Sequence, residues 1–556
     1  MHRAALRVQG WIAGVALRPS PPAADAASPS PAAAGEGGSN LARVSLSRSA
    51  GEGPSRSDRV RVALLVLGVC LALPAQAQSP TLFSGSWSSM LGMDTRAEVP
   101  LEDVGVLYNR FDLDLRHPLS DTMRTRMAAR FTHIASVGHE PGEYTPAFRA
   151  DWPALGMRYD YYADLREAYV QWDSSRWGNL TVGRDLALWG ALELQSPLRI
   201  LNPTDFSMGL FGALGNTDDT TAMADFMVKW QRDVGLGTLE VVYLPFFTQH
   251  RFSPIATDTA MIRPDLGPQI PTGLFTLARR MDLRLDRSLS DALIYALKPP
   301  PATPLDGSIA GRWKHKIGNW DVNFDAIWNW DRLPKLTFDK DIATVLGKTA
   351  EAGFDQQKQL ALLGDSEFIA ANGRLNGSGK TMTDLVKAEW QRRVTLGMEW
   401  SGELHEGWML RGDAAYTPKK VLLDAQFQPV VSALTQVGMG LEYSREDWLV
   451  ALVECTYQFA SDVKEGQALF MMARHHVTAV GGLVLRLGEG QPWTVQLGGM
   501  YGVNLGDYAA APKLSYQIDE NWRVGLGAIV SGGPPLSPGG LFKTDDQVLF
   551  DVRKAF

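Results

Sequence analysis

Residues 320–331 read W-D-V-N-F-D-A-I-W-N-W-D. Trp320, Val322, Phe324, Ala326, Trp328 and Trp330 share one parity, and Asp321, Asn323, Asp325, Asn329 and Asp331 share the other. Successive strand side chains point to opposite sides, so such a segment has one apolar and one polar wall. The pattern recurs along the chain. Phe111, Leu113 and Leu115 oppose Arg110, Asp112, Asp114 and Arg116; Val394, Leu396, Met398 and Trp400 oppose Arg393, Thr395 and Glu399. Val437, Met439 and Leu441 oppose Gln436 and Glu442, and Trp493, Val495 and Leu497 oppose Thr494 and Gln496. Strands of soluble sheets usually run about five or six residues. These alternations persist for about ten to twelve, the length of a tilted strand that crosses a hydrocarbon layer.

The connections alternate as regularly as the residues. Tight polar turns lead at once into Trp320, Trp408, Trp448, Trp493 and Trp522. An indole prefers the boundary between lipid and water, so five of them at one end of successive hairpins form an aromatic girdle. The other connections are long: about 140–163, 190–220, 255–307 and 339–384, the last with a helix-like run at 342–363. Eighteen strands between residues 82 and 556 are predicted, sixteen being the other count the boundaries allow. Among them are 180–189, 238–253, 320–335, 386–403 and 512–518. The fold class is therefore all-β: a transmembrane antiparallel barrel with short periplasmic turns and long outer loops.

Composition agrees with this where it bears on it. The hydrophobic fraction is an ordinary 45%, with 17 Trp, 14 Tyr and 54 Gly, because alternation hides the apolar content from hydropathy. A formal charge of −7 leaves no basic footprint for nucleic acid. Residues 1–55 lack periodicity and read as a disordered extension or an over-long start. Arg56, Arg59 and Arg61, the apolar run 62–73 and Pro74-Ala75-Gln76-Ala77 read as a secretory signal over 56–77, which leaves 78–556 as the barrel. With Cys70 removed in the signal, Cys455 cannot make an internal disulfide framework or a cysteine metal cluster.

Val548, Phe550 and Val552 share a face in the last strand, and the sequence ends on Phe556. This resembles the C-terminal signal strand of Gram-negative outer-membrane barrels. The resemblance implies a bacterial outer-membrane address, with outer-membrane lipid and the barrel-insertion machinery as partners. Lys554 departs from that pattern, and a long basic side chain so near the end can snorkel to the water boundary. A second resemblance lies in L-R-E-A-Y-V-Q-W from residue 165, L-T-V-G-R-D from 180, L-W-G from 188 and L-N-P-T-D-F from 201. Their order resembles porin-like and alginate-export-like channels, which implies that Arg166, Glu167, Arg184, Trp189, Asn202 and Asp205 belong to a hairpin and constriction loop. A structural hairpin with a capped loop turn is the other reading. Arg184 shares parity with Leu180 and Val182, so it needs a bulge or a place above the membrane.

On the polar wall, Arg110, Arg116, Arg124, Arg126 and Arg130 fall on the second and third strands, and Asp321, Asp325 and Asp331 on the ninth. Facing each other, they would set up a transverse field that selects solutes; otherwise they pair with their neighbours. Gly438, Gly440, Gly498 and Gly502 take the same inward parity, where small residues leave room. Nothing points to an enzyme, a cofactor or a metal. Gly364-Asp365-Ser366 resembles the nucleophile motif of GDS-type esterases, but the Asp-x-x-His that family needs occurs only at 114–117. His475 and His476 are adjacent, so in a strand they point apart. The expected function is a porin or export channel passing a small polar or anionic solute. The rivals are a transporter of hydrophobic compounds and a loop-displaying adhesin or anchor.

Overall fold

The computed structural model describes residues 81–95, 105–137, 161–206, 221–252, 303–352, 356–377, 386–424, 428–534, 537–542 and 546–556. The N-terminal extension, the signal segment and most of the 140–163 and 255–307 connections lie outside the described residues. Eighteen strands make one sheet, and each is a stave of a barrel. The first six are β1 (Leu82–Asp94), β2 (Gly105–Ser120), β3 (Met123–Val137), β4 (Tyr161–Ser174), β5 (Gly178–Asp185) and β6 (Asp225–Val234). Next come β7 (Gly237–Leu244), β8 (Ser308–Ile317), β9 (Trp320–Trp330), β10 (Arg392–His405), β11 (Trp408–Leu423) and β12 (Pro429–Arg445). The last are β13 (Leu449–Ala460), β14 (His475–Leu487), β15 (Trp493–Gly502), β16 (Asp507–Gln517), β17 (Trp522–Gly532) and β18 (Gln547–Ala555).

Each stave pairs antiparallel with the next, and β18 pairs back onto β1. Closure leaves no edge, and it satisfies the backbone within the sheet, which a strand in lipid requires. The alternation decides which wall faces out. On β9, Phe324 and Trp328 are 50% and 43% exposed, while Asp325 and Asn329 are 4% and 1%. Exposed apolar side chains recur on stave after stave, among them Val182, Leu396, Met439, Val453, Leu497, Leu526 and Phe550. A water-facing sheet would not tolerate such a belt, and a lipid-facing one needs it. The molecule is a closed, membrane-spanning antiparallel β-barrel.

The girdle follows from the register. Trp320, Trp408, Trp493 and Trp522 each open a stave after a short turn, and Trp448 directly precedes β13. Trp408 packs on Tyr443 and Trp493 on Tyr516, each pair with ring centroids 4.6 Å apart. The closing stave is fixed at the same end. Phe556 exchanges two 3.0 Å backbone hydrogen bonds with Gly85 and stacks on Phe111 at 5.6 Å. Lys554 lies on the outer face with its ammonium 5.0 Å from the Trp522 ring, so an outward charge at the boundary is met by an aromatic face.

Some boundaries differ from the sequence pattern. β5 stops at Asp185 rather than 189, because the chain turns into the lumen there. β7 stops at Leu244, before Pro245, rather than at 253. The stretch 320–335 is divided: β9 ends at Trp330, and Lys335–Phe338 pairs instead with Val386–Glu389 above the barrel. β16 begins at Asp507 rather than at 512. Between β9 and β10 stand α1 (Lys340–Ala352), α2 (Gln356–Leu362) and α3 (Ser366–Gly377), the last not anticipated. Asp365 is its cap, accepting from the N–H groups of Glu367 at 3.0 Å and Phe368 at 2.9 Å. Lys348 at 2.7 Å and the two N–H groups hold its carboxyl below the usual range. Ser366 thus starts an outer helix, while His117, bonded to Thr81 Oγ1 at 2.8 Å, lies at the opposite end of the barrel.

Candidate functional site

The feature that sets this barrel apart from an empty cylinder begins one strand earlier, in β4. Its register against β3 jumps from Glu167–Ala128 to Leu165–Ala129, which makes Arg166 the extra residue of a bulge. β5 shows no such shift, so Arg184 keeps the outward parity of Val182, opposite Phe226 and next to last in its stave. Of the two placements Arg184 could have taken, the structure has the one at the strand end. Glu167 faces inward and accepts from Arg126 at 2.7 Å.

Beyond Asp185 the segment 186–202 runs inward and along the wall. A backbone without a ladder needs acceptors for its N–H groups, and inward carboxylates supply them. Gly190 donates to Glu399 of β10 at 2.8 Å, and Ala191 and Leu192 donate to Asp413 of β11 at 2.7 and 3.2 Å. Glu193, Leu194 and Gln195 all donate to Glu454 of β13, at 2.5, 3.0 and 2.9 Å. Six N–H groups are thus held by three carboxylates, and bonds to charged acceptors are the stronger kind. Gly190 has φ +110°, and a Cβ there would lie 1.8 Å from Ser196 Oγ, so only glycine makes this bend.

Side chains complete the docking. Trp189 donates from Nε1 to Glu240 of β7 at 2.9 Å, and its ring lies 4.4 Å from the Arg312 guanidinium of β8. Arg312 also bonds Asp325 at 2.8 Å and reaches Glu399. Arg411 of β11 bridges Glu193 at 3.0 Å and Glu442 of β12 at 2.6 Å. The apolar side chains are seated by glycines. A Cβ on Gly397 would lie 2.4 Å from Leu198, and one on Gly438 would lie 2.5 Å from Leu192. Trp189, Leu192, Leu198 and Leu201 are each at most 2% exposed, and burying such side chains is worth about 1.5–3 kcal/mol apiece.

The return limb is closed at its root. Asn202 accepts from Ala187 N–H at 2.7 Å and donates to Met223 O at 3.0 Å, so one amide staples both limbs. Asn329 donates to Ile200 O at 3.0 Å, and the buried Arg332 donates to Leu201 O, Thr248 O and Asp225. His250 accepts from Thr204 N–H at 2.8 Å; burial first, then Arg332, pushes its imidazole down to about 3, which leaves the ring nitrogen free to accept. Asp205 pairs with Arg251 at 3.0 Å, and Arg251 also holds Asp164 at 2.5 Å. Trp189 and Asn202 are therefore part of the docked segment, Asp205 lies just past its root, and Arg166 and Arg184 lie outside it.

Among the described residues the docked segment touches β7 through β13, leaving β14–β18 and β1–β3 as the uncovered wall. The sequence-derived arginines stand there on inward parity, six or seven staves of eighteen from β9. They are not bare. Arg110 and Arg130 meet Asp112 at 2.7 and 2.6 Å, and Arg116 and Arg126 meet Asp114 at 2.9 and 2.8 Å. Arg124 meets Gln171 at 3.0 Å and Asp173 at 3.5 Å. On β9, Asp325 is taken by Arg312; just past its end, Asp331 is taken by Lys420 at 2.6 Å and Arg393 at 3.5 Å. Asp321 is exposed near the periplasmic end, opposite Lys316 in the register.

The arginine pair of the uncovered wall was not singled out in the sequence. Arg523 and Arg553 are direct cross-strand partners, and the same row continues through Ser88 to Arg110. Gly482 and Gly498 are also partners; a Cβ on Gly482 meets nothing within 4 Å, and one on Gly498 meets only Ala511 O at 4.0 Å. Of the inward glycines, Gly438 is filled by the docked segment, Gly502 by Asp507, and Gly482 and Gly498 stand open. His475 and His476 do point apart: His475 stacks on Phe459 outside, and His476 is buried inside.

No family model and no curated protein matches this chain. Among solved structures it is similar to OccAB2 of Acinetobacter baumannii, at 8% identity over 86% of this chain and 98% of that one, with a TM-score of 0.43. OccAB3 of the same organism gives 10% identity, 86% and 99% coverage and a TM-score of 0.41. OmpF of Salmonella typhi, in complex with daunomycin, gives 9% identity, 86% and 97% coverage and a TM-score of 0.38.

Proposed function

We propose that the barrel is a passive channel for small polar solutes that favours anions, with its passage between the docked segment and the β14–β3 wall. Eighteen staves enclose enough room for a water-filled lumen. The observation that carries the reading is the one-sidedness of the lumen. One half spends Glu399, Asp413 and Glu454 on the docked segment, and the other sets Arg523 directly opposite Arg553. Segment 186–202, with Trp189 and Asn202, acts as the constriction. A transporter of hydrophobic compounds would want an apolar track, and the arginine-bearing wall speaks against one.

Planar-bilayer recording tests the proposal. A steady open current that reverses on the anion side in a salt gradient supports it; no current from folded protein, or a cation-side reversal, refutes it.

A further inference from the structure

The lumen holds a third kind of surface that neither the docked segment nor the arginine row uses. It is a concave shelf on the inward faces of β4, β5 and β6, on the periplasmic side of the root at Asp185. Asn179 and Gln231 are direct cross-strand partners there. Their Cα atoms are therefore about 5 Å apart. Neither amide makes a hydrogen bond among the described residues. Above them Lys229 and Asp185 form a 2.5 Å ion pair, so the one cation and one anion of the shelf cancel. Thr181, Tyr169 and Gln171 complete the lining, Gln171 accepting from Arg124 at 3.0 Å and donating to Asp173 at 3.1 Å. The partner of Tyr169 on β5 is Gly183, so β5 sets no side chain beside the phenol ring.

We infer that this shelf is a binding subsite for a neutral, hydroxyl-rich small molecule, a sugar or polyol. Each amide offers both donors and an acceptor, which suits neighbouring hydroxyls that donate and accept in turn. Tyr169, half-buried beside Arg126, offers the carbon side of a sugar ring an aromatic surface. The competing chemistries fit worse. An anion gains nothing from a shelf whose charges are internally paired. An apolar ligand would strand the two amides without partners. The subsite rests on the channel reading only in requiring that the lumen admit solute.

Calorimetry on the detergent-solubilised full chain separates the two ideas, because it needs no current. Sucrose and sorbitol serve as probes, with acetate as the anionic control. Saturable binding of at least one neutral probe, with Kd on the order of 1 mM, is expected. In Asn179→Ala/Gln231→Ala it should weaken at least tenfold, and Thr494→Ala on β15 should leave it unchanged. Gln231→Glu, which keeps the size and adds a charge, should also weaken it, and it guards against a misfolded double variant. Binding of neither probe to folded wild type, equal binding by the double variant, or displacement by acetate would overturn the subsite. Neutral-probe binding without bilayer current would leave the subsite standing and remove the channel.

Discussion

Glu454 is the most heavily used anchor of the docked segment, and Glu454→Gln tests the docking with almost no change in shape. The carboxylate accepts Glu193 N–H on Oε1 and the N–H groups of Leu194 and Gln195 on Oε2. An amide keeps one acceptor oxygen and turns the other position into a donor. The better arrangement leaves two N–H groups served and sets the Glu193 N–H against an NH2. One hydrogen bond to a charged group, about 1.5–3 kcal/mol, is lost, and a buried donor is stranded at about 1–3 kcal/mol more. The sum, about 2.5–6 kcal/mol, shifts a docking equilibrium by roughly 10² or more. Asp413, Glu399 and the leucine seats remain, so the tip should loosen while the root at Asn202 holds. Single-channel recording should show a quiet wild-type current and a noisy variant with brief closures, as the tip visits the open half of the bore. Amide exchange at residues 190–195 should quicken in parallel. A variant with wild-type noise and wild-type exchange would show that the carboxylate is not what holds the segment.

Arg523→Gln/Arg553→Gln should move the reversal potential toward the unselective value without changing assembly; unaltered selectivity would remove the row from the mechanism. Phe556→Ala should lower the thermal midpoint and the yield of assembled barrel, since it forfeits the stack on Phe111, about 0.5–1.5 kcal/mol, besides buried area. An unchanged midpoint would mean that closure rests on the backbone bonds to Gly85 alone. The His250 imidazole is depressed to about 3 in the folded protein, so its contribution is fully present above about pH 6.5 and is lost as pH falls from there toward 3. At pH 5.5 that is about 1.4 kcal/mol. Exchange of the Thr204 amide, which His250 accepts, should therefore rise on acidification more than that of barrel amides, and equal responses would contradict the linkage.

The staves were legible because lipid imposes a period of two that no other environment sustains for so long. Phe324 and Asp325 declare their sides without a partner in view. The Trp residues after the turns and the terminal Phe were legible for the same reason: the membrane boundary acts on each of them alone. The docked segment was only half legible. Trp189 and Asn202 stood out as text, but their anchors are Glu240, Glu399, Asp413 and Glu454, acids on distant staves that look like any other inward acid. Nothing local says that Gly438 seats Leu192 while Gly498 seats nothing. The same limit applies to charge. Arg126 and Arg130 read as a basic patch until Asp112 and Asp114 are seen beside them. Arg523 and Arg553 are thirty residues apart and become neighbours only through the register of the last hairpin.

The central claim is that solute passes along the uncovered wall, because the opposite wall is filled. Cysteines placed in a Cys455→Ala background and treated with a charged thiol reagent during recording test it directly. Modification at Gly482→Cys and Gly498→Cys should cut the current sharply, and at Gly438→Cys and Gly440→Cys, under Leu192, it should have no effect. Block from the Gly438 side with none at Gly482 and Gly498 would contradict the account.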